Sequence, residues 1–258
     1  MKIAIFTDTF PPAINGVANT AYRSAKSLLA QGHQVAIVTV GASEERKDFN
    51  YQGLEVINLP SIPTSFIYQE SRGYLPLGLS LRKLKKFQPD VIHLHTPMPV
   101  GMEAVMVGKF LRTPLVGTHH TFFDHYLKHI RLDYDWMKKL SWKMTTGFYN
   151  RCDLVICPSQ ALADAMKEKG LASPVLALRN PVDIDFFRPA DKEEKISFKK
   201  KYNLPDVSLV YMGRVSYEKS LDVAIRAFAL ALKEKPDLKF MIVGDGPVTE
   251  ALMQFVPV

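Results

Sequence analysis

Two rhythms of apolar residues alternate along the chain. Short consecutive apolar runs read as buried strands: Lys2–Thr7, Gln34–Val40, Leu54–Leu59, Val91–His95, Pro114–Thr118, Leu154–Cys157 and Val175–Leu178. Between them, apolar residues recur at helical spacing. Val17, Ala21, Ala25, Leu28 and Leu29 form one such face, in a helix opened by Gly16 and closed near Gly32. Further helices are predicted at Leu77–Phe87, Pro99–Leu111, Asp133–Asn150 and Gln160–Lys169. In the Asp133 helix, Trp136, Leu140, Met144 and Phe148 are expected to be the buried stripe, with Lys138, Lys139, Trp142 and Lys143 on another face. Gly41–Tyr51 reads as a loop. Pro60–Gly73 carries proline and aromatic residues without a clear period, as lids and binding loops do.

Strand–helix alternation of this kind builds a parallel sheet covered on both faces, an α/β fold with right-handed crossovers. The pattern breaks at Arg179–Ala190, where Asn180-Pro181-Val182-Asp183 and Phe187-Arg188-Pro189 form a stiff connector. A polar helix, Asp191–Tyr202, leads into a second strand–helix–strand series: Ser208–Met212, Lys219–Lys233 and Lys239–Val243, followed by the turn Gly244-Asp245-Gly246-Pro247. The expected division is residues 1–185 for a Rossmann-like first domain and 186–258 for the start of a second. Three elements cannot cover both faces of a parallel sheet, so the second domain reads as cut short.

With 258 residues, 47% hydrophobic and 23% charged, the chain has the composition of a globular protein. No run approaches the roughly 20 apolar residues of a membrane span. The opening residues lack a signal peptide's pattern. The expected location is therefore the cytoplasm. Cys152 and Cys157 are spaced for neither zinc nor redox chemistry and read as buried thiols. The net charge is +7, and Leu81 to Lys143 holds eleven Lys and Arg against five Asp and Glu. Such a basic stretch serves a phosphorylated or membrane partner, or is a solvated surface. No nucleic-acid-binding motif accompanies it.

Four constellations carry candidate chemistry. In the first turn, Asp8 to Gly16, a Pro- and Gly-containing loop joins a strand to a helix N-terminus, the arrangement that offers backbone N–H groups to phosphate. The loop lacks the G-x-G-x-x-G fingerprint, and no acid closes the second strand at Val38-Thr39-Val40, which argues against a dinucleotide oxidoreductase. It is not a Walker loop either. In Gly213-Arg214-Val215-Ser216-Tyr217-Glu218-Lys219, the cations Arg214 and Lys219 bracket a loop that follows a strand and suit a diphosphate. Third, six of the seven histidines, His93, His95, His119, His120, His125 and His129, fall close together without metal-binding spacing. His119 and His120 end a strand, where open α/β sheets place ligands. Fourth, Trp142 among Lys138, Lys139 and Lys143 suits either a bilayer interface or a solvated face.

Together these pieces resemble the retaining GT-B glycosyltransferases of family 4, the glycosyl transferases group 1 type. Asp8-x-x-Pro11-Pro12-x-x-Asn15-Gly16 followed by Leu28-Leu29-x-x-Gly32-His33 resembles the family's opening. Asn180-Pro181-Val182-Asp183 with Phe187-x-Pro189 resembles its inter-domain connector, and Gly213-Arg214, Glu218-Lys219 and Val243–Pro247 resemble the start of its donor domain. The resemblance implies two facing Rossmann-like domains that transfer a hexose from a nucleoside diphosphate sugar, with no metal or further cofactor. By that analogy Asn15, Gly16, Arg214 and Lys219 meet the donor diphosphate. The analogy also puts His120, or alternatively His119, near the sugar. His120-Thr121 followed by Tyr126 most resembles members acting on membrane lipids, which implies a peripheral place on the inner membrane face, with Lys138, Lys139, Trp142 and Lys143 at the membrane or acceptor.

Asn15 stands where many members carry glycine, and so does Ser220, after Glu218-Lys219. The family's two-glutamate signature is absent from this chain, so these residues alone are expected not to turn over. The competing expectation is a non-catalytic module that binds phosphate or lipid through the basic patch.

Overall fold

The computed structural model describes residues 1–41, 49–64, 72–120 and 134–254. They divide into two compact units, Met1–Val182 and Asp183–Val258, with the division inside the connector. The first unit is built on an eight-stranded sheet. Its strands are β1 (Lys2–Phe6), β2 (Gln34–Val40), β3 (Phe49–Tyr51), β4 (Leu54–Leu59), β7 (Val91–Leu94), β8 (Leu115–Thr118), β9 (Leu154–Cys157) and β10 (Val175–Ala177). Two short strands, β5 (Ile62–Pro63) and β6 (Arg72–Gly73), form a separate antiparallel pair.

The strand order is β10-β9-β8-β7-β1-β2-β4-β3. Every neighbouring pair is parallel except β3 with β4. The chain therefore runs outward from β1 through β2 to β4, then returns to β7 and runs outward the other way. Ligands of open α/β sheets bind where the order reverses, at the strands' carboxyl ends. Here that point lies between β1 and β7.

Among the described residues five helices accompany this sheet: α1 (Gly16–Ala30), α2 (Leu81–Phe87), α3 (Pro99–Leu111), α4 (Asp135–Tyr149) and α5 (Gln160–Glu168). On one face, Ala21 and Ala25 of α1 pack against Ile3, Ile5, Val35 and Ile37. On the other, a larger core joins Leu84 of α2, Val100 and Ala104 of α3, Phe148 and Tyr149 of α4 and Leu162 and Met166 of α5 to Phe6, Ile92, Leu94 and Val155. Cys152 and Cys157 are buried free thiols, and burial pushes them up to about 12 and about 11.

In the first unit three local readings differ from the structure. The helix expected over Leu77–Phe87 starts only at Leu81, because the N–H groups of Gly78 and Ser80 and the Ser80 hydroxyl donate to the Glu103 carboxylate at 2.7, 2.9 and 2.7 Å. The second is a short strand, β3, inside the expected loop; Gln52 and Gly53, both at positive φ (50° and 89°), turn the chain from β3 into β4.

The third concerns α4. Its inward face is Trp142, Thr145, Thr146, Phe148 and Tyr149, while Trp136, Leu140 and Met144 are 63%, 46% and 66% exposed. Of the expected stripe only Phe148 is buried. A helix with apolar residues on two faces gives period alone no means of choosing between them. Tertiary packing chooses the face whose small threonines let the helix approach the sheet.

The second unit contains α6 (Lys192–Lys201), β11 (Ser208–Met212), α7 (Leu221–Glu234), β12 (Lys239–Val243) and α8 (Thr249–Met253). β11 and β12 are parallel, and a small core of Val215, Leu221 and Val248 lies under the loops that follow them. An added Cβ on Gly244 would stand 1.9 Å from the Gly213 carbonyl oxygen, so the two post-strand loops touch backbone to backbone.

Candidate functional site

The loop after β1 is fixed from both ends. Asp8 accepts hydrogen bonds from the Thr96 hydroxyl and, at 3.1 Å, from the Val100 N–H, which ties the carboxyl end of β1 to the segment following β7. Burial pushes the Asp8 carboxyl up to about 6 against the pull of those hydrogen bonds. The Thr7 hydroxyl donates to the Thr9 carbonyl at 2.7 Å. Asn15 has an extended backbone and caps α1. Its Oδ1 accepts the Ala18 N–H at 2.9 Å, and its Nδ2 donates to Thr9 Oγ1 at 2.7 Å.

The Asn15 side chain is thus committed to the loop and to the helix. The Ala18 and Asn19 amides are both satisfied by Asn15, which leaves the N–H groups of Gly16 and Val17 open among the described residues. A Cβ on Gly16 would meet no atom within 4 Å. No protein contact requires glycine there, and the position a side chain would take is open space. An anion there would be worth about 0.3–1 kcal/mol from the helix dipole, before direct hydrogen bonds.

The histidines form a connected group at the ends of β7 and β8. In the parallel register His93 lies beside Val116 and Leu94 beside Gly117. Side chains alternate across a strand, so His93, His95, Thr118 and His120 share one face and His119 points to the other. The contacts agree. His93 Nε2 lies 2.7 Å from Thr118 Oγ1, and His95 Nδ1 lies 3.1 Å from His120 Nε2. The His93 and His95 rings stand 4.4 Å apart, and those of His95 and His120 5.2 Å apart with planes 15° from parallel. His119 is buried against the Tyr149 ring at 5.1 Å. Tyr149 donates its hydroxyl to the Thr118 carbonyl at 2.9 Å, which fixes the end of β8.

Of the two adjacent histidines at this strand end, His120 is the half-exposed one. Burial lowers the imidazoles of His93, His119 and His120 to about 4 and that of His95 well below its ordinary value, with charge repulsion from neighbouring histidines adding to the effect on all but His120. All four are neutral near pH 7. Among the described residues, no group of His, Cys, Asp or Glu is arranged to hold a metal ion. Thr121, His125, Tyr126 and His129 lie outside the described residues, as does half of the Pro60–Gly73 stretch.

In the second unit, Arg214 and Lys219 flank a tight segment. The Val215 N–H donates to the Asp245 carbonyl at 3.0 Å, and the Tyr211 hydroxyl donates to the Arg214 carbonyl at 2.7 Å. A single 3₁₀ turn, Tyr217–Lys219, follows, and Ser220 (φ 50°, ψ 38°) separates it from α7. The expected helix start at Lys219 is therefore two residues early. Both cations act on one group: burial tends to raise the Glu218 carboxyl, but the Ser216 hydrogen bond and the charges of Arg214 and Lys219 hold it below its ordinary value. Lys219 is exposed and Arg214 half-buried.

The four residues assigned to a membrane or acceptor do meet. Lys138, Lys139, Trp142 and Lys143 line one surface depression with Asp135 and Lys169. Trp142, however, is 8% exposed and belongs to the core, so it is not an interfacial anchor. The exposed aromatic of α4 is Trp136. A second, apolar groove of about 780 Å³ runs between α3 and α4, lined by Met98, Met102, Met137, Leu140, Met144 and Phe148 among others, with Lys143 and Arg151 in its lining. Among the described residues no helix is long and apolar enough to cross a membrane.

Sequence reasoning passed over Asp8 and His95 as working residues. The available signal was the His-x-His spacing on a strand, which puts both rings on one face, together with a histidine ending the neighbouring strand.

Residues 14–186 match the family described as Glycosyltransferase Family 4, and residues 192–255 match Glycosyl transferases group 1. The chain is 30% identical over 260 residues to an alpha-monoglucosyldiacylglycerol synthase of Streptococcus pneumoniae, covering 98% of this chain and 58% of that protein. It is 25% identical over 264 residues to a GDP-mannose-dependent alpha-mannosyltransferase of Corynebacterium glutamicum, covering all of this chain and 60% of that protein. The chain thus spans about three fifths of the length of these curated relatives. Among solved structures, Staphylococcus aureus TarM bound to UDP and alpha-GlcNAc-glycerol superposes with a TM-score of 0.62 at 12% identity, covering 98% of this chain and 74% of that one. A UDP-GlcNAc 2-epimerase of Neisseria meningitidis superposes at 0.56 and 12%, covering 94% and 65%. At these identities the likeness is one of fold, and the fold is of the GT-B type.

Proposed function

The chain belongs to glycosyltransferase family 4, and on that premise we propose that it supplies the acceptor-side unit and the first part of the donor unit of a retaining hexosyltransferase. The donor is a nucleoside diphosphate sugar, and the acceptor is a hydroxyl of a membrane lipid. The observation that carries this reading is the pair of open N–H groups at Gly16 and Val17, with empty space where a Cβ of Gly16 would stand, at the switch point of the sheet. A diphosphate oxygen accepts from exactly such donors. In the second unit, Arg214 and Lys219 neutralise charge that grows on the departing diphosphate. His120 is a neutral imidazole at the end of β8, suited to hydrogen-bonding a sugar hydroxyl or the reacting oxygens and unsuited to carrying a proton as imidazolium.

A lipid acceptor is supported by two things. Relatives include an alpha-monoglucosyldiacylglycerol synthase by name. The outer faces of α3 and α4 also expose Met98, Met102, Met106 and Phe110 beside Trp136, Leu140 and Met144, with Lys139 and Lys143 interleaved. Apolar surface of that extent beside cations suits an anionic bilayer, and the contact is made through these residues rather than through Trp142. The protein is then peripheral on the membrane.

The direct test is transfer of radiolabelled hexose from UDP- and GDP-sugars to lipid in vesicles by the full-length protein. His120→Ala is expected to lower kcat by about two orders of magnitude, the loss of one oriented hydrogen-bond donor to the reacting oxygens. Wild-type turnover by that variant would remove His120 from the site. A protein that binds vesicles but no sugar nucleotide would instead be the non-catalytic module.

A further inference from the structure

The group of histidines holds one atom that the proposed reaction does not use. His95 is 1% exposed, and its Nε2 is buried with no hydrogen-bond partner among the described residues. Its other nitrogen, Nδ1, is 3.1 Å from Nε2 of His120. Both rings are neutral near pH 7, so each carries one N–H and one lone pair. A hydrogen bond between them needs one ring to donate and the other to accept, and two arrangements satisfy it.

If His120 donates, its proton sits on Nε2, and His95 must carry its own proton on Nε2. That N–H is then buried with nothing to accept it. If His95 donates, its Nε2 keeps only a buried lone pair. Orphaned buried N–H groups are rarer and costlier than under-used acceptors. The second arrangement therefore prevails. Its consequence falls on His120: Nε2 accepts from His95, the proton is on Nδ1, and that N–H is the edge left for a ligand.

The rest of the pocket holds this arrangement in place. The His95 N–H donates to the Phe6 carbonyl at 2.9 Å, which fixes its backbone to the central strand. The His93 ring packs on the His95 ring at 4.4 Å, while its own Nε2 is held by Thr118. Thr118 in turn precedes His120 by two residues, on the same strand face. No carboxylate is hydrogen-bonded to either His95 or His120 in the described structure, so a neutral imidazole takes the place that an orienting acid occupies beside many working histidines.

We propose that His95 is a positioning residue that fixes the tautomer of His120 and so makes His120 a hydrogen-bond donor, through Nδ1–H, to an oxygen of the substrate. The chemical class it meets is an oxygen acceptor: a sugar hydroxyl or a developing oxyanion. The part concerning substrate rests on His120 being in the transferase site as proposed above; the tautomer does not.

Two measurements separate these parts. Long-range 1H–15N correlation spectra of histidine-labelled protein near pH 7, assigned with His95→Gln and His120→Gln variants, are expected to show His120 protonated on Nδ1 and bare on Nε2. A His120 signal protonated on Nε2 overturns the proposal, and either variant alone suffices for the assignment, through the signal lost in His120→Gln or the one shifted in His95→Gln. In the transfer assay, His95→Phe, which cannot donate, is expected to lower kcat about tenfold, the loss of one oriented hydrogen bond, with the acceptor KM unchanged. His95→Gln, which retains an N–H donor, recovers most of that loss. Equal losses in Phe and Gln variants would make His95 merely structural and overturn its positioning role. Should His120→Ala retain wild-type turnover while the spectra show the expected tautomer, the transferase assignment of His120 falls and the tautomer stands.

Discussion

At Asn15 and Gly16 two neighbouring residues divide one task. Asn15 spends its amide on Ala18 and Thr9, so its side chain builds the loop, while Gly16 offers only backbone and open space. Asn15→Ala is expected to lower unfolding stability by about 1 kcal/mol through the lost cap. Gly16→Ala is expected to leave stability equal or slightly higher, since alanine suits a helix and meets no neighbour, and yet to weaken sugar-nucleotide binding severalfold by filling the ligand's space. Urea unfolding and donor titration on the same two proteins check both statements. A Gly16→Ala protein that binds normally would take the loop out of the donor site. Ser220 presents the opposite situation. It adopts the left-handed conformation that glycine favours, at a cost on the order of 1 kcal/mol. Ser220→Gly is therefore expected to stabilise the second unit by about 0.5–1 kcal/mol, and a loss of stability on urea unfolding would contradict that reading.

Whole strands and helices show where the sequence speaks clearly and where it does not. The parallel strands were legible because each is a short apolar run between a helix and a turn, and the second strand–helix series was legible from its own repetition. The starts of α2 and α7 were not. A buried Glu103 from another helix claims the amides before Leu81, and a left-handed serine interrupts the chain before Leu221; both causes are tertiary or conformational. The buried face of α4 was misread because two apolar stripes compete on one helix. The ends of β7 and β8 were half legible. His119 and His120 were visible as candidates, but choosing between them needed the strand register that turns one inward.

That register also predicts a pH response. Burial holds four imidazoles neutral, lowering His93, His119 and His120 to about 4 and His95 well below its ordinary value, against an ordinary value of about 6.5. The unfolded chain then binds more protons below about pH 6.5, so this stability is complete above that pH and is lost towards pH 4. Asp8 acts oppositely: its folded value of about 6 exceeds its ordinary 3.8, so its contribution is present below 3.8 and lost as pH rises through 6. Four groups outweigh one. Urea midpoints are expected to fall steadily from about pH 6.5 to 4, and a rise over that window would show that the histidines are not buried neutral.

On the scale of the whole molecule, charge and apolar surface lie on the same helices. The excess of cations between Leu81 and Lys143 includes Lys109, Lys139 and Lys143 on α3 and α4, the two helices that expose methionine, leucine and tryptophan. Binding to vesicles containing anionic lipid is expected to weaken as salt screens the lysines and to drop further in Leu140→Glu. Co-sedimentation insensitive to both would remove α4 from the membrane contact.

The central claim is that this chain handles the diphosphate of a sugar nucleotide. Isothermal titration of UDP- and GDP-sugars into the full-length protein tests it most directly. The expected result is measurable binding of one of them, weakened roughly ten- to a hundredfold by Arg214→Ala through loss of a charge-assisted hydrogen bond worth about 1.5–3 kcal/mol. Binding of neither nucleotide, or unchanged affinity in Arg214→Ala, would contradict the account.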